Sequence, residues 1–229
     1  MENKLIYIAL VLLTSLVNIN CAKQRIQSCK ATTPDVLGPY YFPNPPRRRQ
    51  ICDRDPAYHD QRHLLVEGRV MDESCQPLSG ARIEVWQADH EGHYLFRDNC
   101  RGYFFSENGG HYAFLSLHPG TYSTDPEGGL FRPAHIHFRV LKPGYDILVT
   151  QMYFAGDPNL GRNDSCTACS SDRSDLIVEP REMCPDKTGK FCFSIAHFDI
   201  VLKRGGDVLV VPDIDDSAME LMDIAETGK

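Results

Sequence analysis

From residue 64 onward the chain consists of short runs in which apolar and polar residues alternate, each stopped by glycine, proline or aspartate, and this pattern leaves few folds open. The run Ala81-Arg82-Ile83-Glu84-Val85-Trp86 has the period of two of a half-buried strand. Leu64-Leu65-Val66-Glu67-Gly68-Arg69-Val70 precedes it, with a turn-rich stretch from Asp72 to Gly80 between them. Further strands are predicted over Gly102–Phe105, His111–Leu115, Ala134–Leu141, Ile147–Phe154 and Ser194–Leu202. Strands of this kind must bury one face against another layer. With no helical period between them, they predict an all-β domain, a β-sandwich. At 229 residues and 42% hydrophobic content, the chain can bury one full core. The sandwich is expected over residues 64–212, behind an extended, proline- and arginine-rich arm over 23–63 and ahead of an acidic tail over 213–229.

Leu5 to Val17 form an apolar run behind Lys4, too short to span a bilayer comfortably and of the length of a signal-peptide core. Residues 1–22 are therefore expected to be a leader ending near Cys21 or Ala22, with a retained membrane anchor as the rival reading and no other segment apolar enough to cross. Cysteine usage agrees with export. Past the leader stand Cys29, Cys52, Cys75, Cys100, Cys166, Cys169, Cys184 and Cys192, an even set that predicts up to four disulfides in unspecified pairing. Cys166 and Cys169 form a CxxC that could also suggest thiol redox chemistry or zinc. Its loop-like flanks, and the nearness of Cys184 and Cys192 as partners, favour disulfides. Asn163-Asp164-Ser165 is a glycosylation sequon and hints at an exposed loop. The net charge of -7 argues against a nucleic-acid partner, and the basic run Arg47–Arg49 is expected on a solvated loop.

The sharpest local feature is Arg132-Pro133-Ala134-His135-Ile136-His137-Phe138. Histidines at i and i+2 of a strand project from one face, so His135 and His137 can reach one metal. Imidazole alone suits zinc, copper, nickel and iron alike. Two tyrosines keep the pair company, in Glu91-Gly92-His93-Tyr94 and in His118-Pro119-Gly120-Thr121-Tyr122. Each follows a glycine-containing turn, from which a phenol can be aimed at a site. Phenolate is a hard oxygen donor and favours a highly charged ion such as Fe(III).

With these residues the sequence resembles the intradiol ring-cleavage dioxygenases, the family of catechol 1,2-dioxygenase and protocatechuate 3,4-dioxygenase. The resemblance spans about residues 30 to 202 and runs through Gly38-Pro39-Tyr40-Tyr41, Gly68-Arg69-Val70-Met71-Asp72 and Gly80 to Ala88. It continues through the two tyrosine motifs and the histidine motif to Thr150-Gln151-Met152-Tyr153-Phe154-Ala155-Gly156-Asp157-Pro158 and Phe198-Asp199-Ile200-Val201-Leu202. It implies non-haem Fe(III) held by Tyr94 and His137 in the equatorial plane and by Tyr122 and His135 as axial ligands. It further implies Arg132 as an active-site arginine, Gln151 at the border of the substrate and oxygen site, and Tyr40 near the pocket mouth. The implied reaction splits a catechol between its hydroxyl-bearing carbons with O2 and yields a cis,cis-muconate-type dicarboxylate. Tyr122 would take a substrate proton, and Arg132 would stabilise negative charge on the ring.

The chain departs from the bacterial members of that family in its eight cysteines, in Cys75 at a turn where the family often has glycine, and in having no long helical period before residue 64 to match a dimerisation segment. A monomeric, secreted eukaryotic branch acting on external catechols such as plant phenolics is the resulting expectation. Two other readings remain open: a secreted, disulfide-bonded β-sandwich that binds without catalysis, and a zinc hydrolase on His135 and His137. The second needs a third histidine or carboxylate ligand and a base.

Overall fold

The computed structural model describes residues 28–55, 63–94, 99–125, 127, 129–184 and 192–205. The expected leader at 1–22 and the expected acidic tail at 213–229 lie outside the described residues. Among the described residues twelve strands form: β1 (His63–Asp72), β2 (Arg82–Gln87), β3 (Arg101–Phe105), β4 (His111–Leu117), β5 (Tyr122–Asp125), β6 (Leu130–Arg132), β7 (His135–Leu141), β8 (Leu148–Phe154), β9 (Ile177–Val178), β10 (Arg181–Met183), β11 (Phe193–His197) and β12 (Ile200–Leu202). Each predicted strand is present, the last of them as two strands, β11 and β12. The short β5, β6, β9 and β10 carry too few alternating residues to be legible as strands in the sequence.

One sheet is built on β1, which pairs antiparallel with β4 on one side and parallel with β11 and then β12 on the other; β10 extends it past β11. The other sheet runs β3-β2-β7-β8-β9, and β5 and β6 make a separate hairpin. The two sheets face each other across Leu64, Val66 and Val70 of β1, Phe114 of β4, Ile83 and Val85 of β2, Ile136, Phe138 and Val140 of β7, and Met152 of β8. The run expected as one strand over Ser194–Leu202 is divided at Phe198-Asp199. There the amide of Phe198 donates to Glu67 O (2.8 Å), while the carboxylate of Asp199 accepts from the amide of Arg69 (2.8 Å). Gly68 stands at this crossing, and a Cβ on it would lie 2.0 Å from Phe198 O.

Residues 28–55 stitch the two sheets together along one edge. The amide of Tyr103 on β3 donates to Pro46 O, and the amide of Arg48 returns to Tyr103 O. Then the amide of Leu115 on β4 donates to Arg49 O, and that of Ile51 to Leu115 O. This corrects the expected solvated loop at Arg48 and Arg49, while Arg47 is exposed. The guanidinium of Arg49 donates to Ala113 O (3.0 Å) and Phe105 O (2.8 Å), and Arg48 Nε donates to Arg101 O (2.9 Å). Strand carbonyls at the sheet edge need donors, and arginine forks supply them.

All eight described cysteines are paired: Cys29–Cys75, Cys52–Cys100, Cys166–Cys169 and Cys184–Cys192. The expected number is met. The CxxC closes on itself, however, and takes no partner from Cys184 or Cys192, which bond to each other. Cys75 is in the left-handed region at φ 58°, a conformation that glycine adopts freely.

Candidate metal centre

The second sheet has two different faces, because alternate residues of β2, β7 and β8 point to opposite sides. Ile136 and Phe138 enter the core, so His135 and His137 must face outward. Cross-strand pairing sets Trp86, His137 and Gln151 in one row and His135 beside Tyr153 in the next. This outer face would be open to water but for the arm. Gly38 lies against the ring of His137, Val36 O accepts from Gln151 Nε2 (2.9 Å), and the hydroxyl of Tyr41 donates to Glu84 (2.9 Å). Both histidines are buried as a result.

The tyrosines come from two turns that lock together. Asp89 organises the first, accepting the amides of Glu91 (3.0 Å) and His93 (2.8 Å) on its carboxylate. Its carbonyl accepts from both Gly92 (3.2 Å) and Gly120 (2.8 Å), so the Tyr94 and Tyr122 turns share one acceptor. Gly92, at φ 89°, would place a Cβ 2.0 Å from Thr121 O, and a Cβ on Gly120 would lie 2.4 Å from the amide nitrogen of Gly92. Only two glycines allow this backbone contact.

The four expected ligands and Tyr40 are brought together. His135 Nε2 lies 3.2 Å from Tyr94 Oη, 3.2 Å from His137 Nε2 and 3.4 Å from Arg132 Nη1. The ring of Tyr122 is edge-on to Tyr94 at 5.5 Å between centroids, and its hydroxyl is 2.7 Å from that of Tyr40. Tyr40, itself half-buried, in turn stacks on Tyr94 at 4.2 Å. Trp86, which carried no functional signal in the sequence, stacks on His137 at 4.7 Å with 6° between the planes. The ring Nδ1 of His135 is 2.6 Å from Pro133 O and donates to it, leaving the Nε2 lone pair facing the cluster.

Arg132 is 6% exposed and Gln151 fully buried. Arg132 donates to Asp164 through Nε (3.2 Å) and Nη2 (3.3 Å), and to Gln151 Oε1 (3.1 Å) and Tyr153 Oη (3.1 Å) through Nη2. Gln151 therefore stands behind Arg132 with both ends of its amide engaged. The hydroxyl of Tyr153 donates to Asp35 (2.7 Å). Asp35, Asp89, Asp157 and Asp164 all organise this region, and none was legible as a site residue in the sequence.

Burial pushes the Tyr94 hydroxyl well above its ordinary pKa. Burial and the hydrogen bond to Tyr40 push Tyr122 up to about 12. Burial, helped by the charge of Arg132, lowers His135 to about 3; burial, with the neighbouring His135 and Arg132, also holds His137 well below the ordinary histidine range. Both imidazoles are thus neutral, with lone pairs available. Two nitrogen donors each about 2.1 Å from one ion and at right angles to it are about 3.0 Å apart, close to the 3.2 Å observed. An ion of high charge would offset the cost of ionising two phenols here. This donor set of two phenols and two neutral imidazoles fits Fe(III). Among the described residues no third histidine, cysteine or carboxylate joins His135 and His137. The one such grouping, Glu182 with Cys184 and Cys192, uses disulfide sulfurs. The ligand set required by the zinc reading is therefore missing.

The family model described as "Dioxygenase" matches residues 36–204, most of the chain and all of the cluster. The chain belongs to the intradiol ring-cleavage dioxygenase family. Catechol 1,2-dioxygenase of Candida albicans is 36% identical over 171 residues, covering 64% of this chain and 54% of the relative. The crystal structure of catechol 1,2-dioxygenase from Acinetobacter radioresistens matches with a TM-score of 0.68 at 25% identity, covering 78% of this chain and 64% of that one. The dioxygenase domain of a dioxygenase and carbohydrate-binding fusion from Streptomyces sp. SirexAA-E matches with a TM-score of 0.61 at 28% identity, over 77% of this chain and 100% of that one. This intradiol dioxygenase chain spans about half the length of the first curated relatives that it matches.

Proposed function

We propose that the protein is an Fe(III)-dependent intradiol dioxygenase that cleaves catechols with O2 between the two hydroxyl-bearing carbons, giving cis,cis-muconate-type dicarboxylates. The observation that carries this reading is the convergence of Tyr94 Oη and His137 Nε2 on His135 Nε2, each at 3.2 Å, in a member of this family. Tyr94, Tyr122, His135 and His137 would hold the iron. When bound, ferric ion would supply a Lewis acid that activates the catechol ring toward O2.

The chain's own residues supply the rest. Two phenolates offset much of the ferric charge in a site closed by the arm. Tyr122 is the base: its hydroxyl, 2.7 Å from that of Tyr40, would hold a substrate proton on Oη. Arg132 presents Nη1 beside His135, where its fixed positive charge stabilises negative charge developing on the ring. Gln151 and Tyr153 hold the other guanidinium nitrogen. The four disulfides support an oxidising compartment, and with it an extracellular role against external catechols, acting as a monomer.

The test is the visible spectrum of the purified protein before and after catechol is added under air. A blue-green band that moves to longer wavelength with catechol, and returns as a muconate-like ultraviolet product forms, supports the reading. Colourless protein that stays inert after ferric reconstitution overturns it in favour of a binding module. Retention of the protein inside cells would overturn the extracellular role.

A further inference from the structure

The loop after β8 carries a device that sequence reading left divided between a sequon and a CxxC. The turn Gly161–Asn163 leaves the Asn163 side chain exposed and turns Asp164 inward, with 1% of its side chain accessible. Asp164 grips Arg132 with both oxygens, and its Oδ1 also accepts the amide of Cys166 (2.9 Å). The amide of Ser165 donates to Phe131 O (3.0 Å), tying the loop to the residue before Arg132. Beyond the second cysteine, the amide of Ser170 donates to Asp35 Oδ2 (3.1 Å), the oxygen that also accepts from Tyr153. Both ends of the loop thus hold partners of Arg132, and the Cys166–Cys169 disulfide closes the chain between them.

We propose that Asp164 is a positioning residue for Arg132, and that the Cys166–Cys169 loop presets it. This rests on the reaction proposed above. A lone buried guanidinium has several rotamers and a large desolvation cost. A bidentate carboxylate removes both problems and aims Nη1 at His135. The carboxylate must itself be fixed, and a disulfide-closed turn whose amide caps it does so without a long-range core contact. The CxxC is then neither a redox centre nor a metal site; it acts as the clamp of the active-site arginine.

The experiment compares the iron-loaded wild type with Asp164→Asn, Asp164→Glu and the double variant Cys166→Ser/Cys169→Ser. Two readouts are taken on each: kcat and KM with catechol, and the rate at which phenylglyoxal labels Arg132, followed by peptide mass spectrometry. Asp164→Asn is expected to lower kcat about a hundredfold, the effect of an ångström-scale misplacement, with KM changed much less. If opening the loop leaves Arg132 correctly aimed about a tenth of the time, the double variant loses about tenfold in kcat. In both, Arg132 labels faster than in the wild type, and Asp164→Glu recovers most of each change. Should Asp164→Asn fail to fold, the double variant carries both readouts. Wild-type labelling at Arg132 in these variants overturns the proposal, as does faster labelling with unchanged kcat, or lower kcat with unchanged labelling. A wild type that cleaves no catechol overturns the proposed reaction instead, and the labelling rates still decide whether Asp164 holds Arg132.

Discussion

Replacing Gly92 by alanine should separate the Tyr94 and Tyr122 turns. Two costs act there and can be measured apart. At φ 89° an L-residue is strained by about 1–2 kcal/mol. A Cβ 2.0 Å from Thr121 O must also move about 1.2 Å to reach tolerable contact, and overpacking of this kind costs about 1–3 kcal/mol. Gly144, in the turn between β7 and β8, has φ 84° and nothing within 4 Å of its Cβ position, so Gly144→Ala carries the first cost alone. Gly68 meets Phe198 O at 2.0 Å without a positive φ, so Gly68→Ala carries the second alone. Gly92→Ala should therefore lose about 2–5 kcal/mol in chemical denaturation, near the sum of the two controls. Iron-loaded Gly92→Ala should also lose about a hundredfold in kcat from the displaced phenols, while both controls keep wild-type kcat. The reasoning fails if Gly92→Ala is no less stable than Gly144→Ala, or if its visible spectrum and rate match the wild type.

Three further outcomes follow from the same geometry. Tyr40→Phe removes the hydrogen bond that helps to hold Tyr122 near 12, so the Tyr122 phenol of metal-free protein should ionise at lower pH in an ultraviolet titration. An unchanged or higher value would show that burial alone sets it. His135, lowered to about 3 in the folded protein, binds fewer protons there than in the unfolded chain, whose histidines titrate near 6.5. Its stability contribution is full above about pH 6.5 and is lost as pH falls from there toward about 3, with a slope of about 1.4 kcal/mol per pH unit. His137 is shifted in the same direction, so metal-free wild type should lose more stability than His135→Asn on going from pH 6 to pH 4.5 in denaturant melts, and parallel losses would refute the assignment. Removing Cys52–Cys100, which ties the arm to the start of β3 across 48 residues, should cost about 4 kcal/mol by loop entropy. A loss below about 1 kcal/mol in urea unfolding of Cys52→Ala/Cys100→Ala would show that the arm is held by its backbone bonds alone.

The parts legible in the sequence were those written in local pattern. Alternation marked β1, β2, β4, β7 and β8, and the i, i+2 spacing of His135 and His137 implied a shared face, which β7 provides. The tyrosines could be named because each sits behind a glycine in a recognisable motif. Their interlock through Asp89 could not, since contact between Gly92 and Gly120 depends on two turns meeting in space. Trp86 read as one more apolar position of β2 because its face was unassigned. Its pairing opposite His137 turns it outward onto the imidazole. The arginine run misled for a related reason: basic residues after prolines resemble a solvated loop until a sheet edge with open carbonyls is placed beside them. Asp164 was hidden by its own motif, because a sequon points attention to Asn163.

The aspartates also bear on which ion the site would hold. Asp35 accepts from Tyr153 and Ser170, Asp89 from Glu91 and His93, Asp157 from Ala134 and Asn159, and Asp164 from Arg132 and Cys166. Each of these four carboxylates is used to fasten a turn or a side chain. A divalent ion that prefers carboxylate and imidazole would have to take one of them and undo the turn that it holds. The anionic ligands left to offer are phenols, whose ionisation burial opposes strongly. An ion must carry enough charge to reverse that cost twice. The ferric iron proposed above meets this condition, with aspartates as fasteners and tyrosines as the proposed ligands.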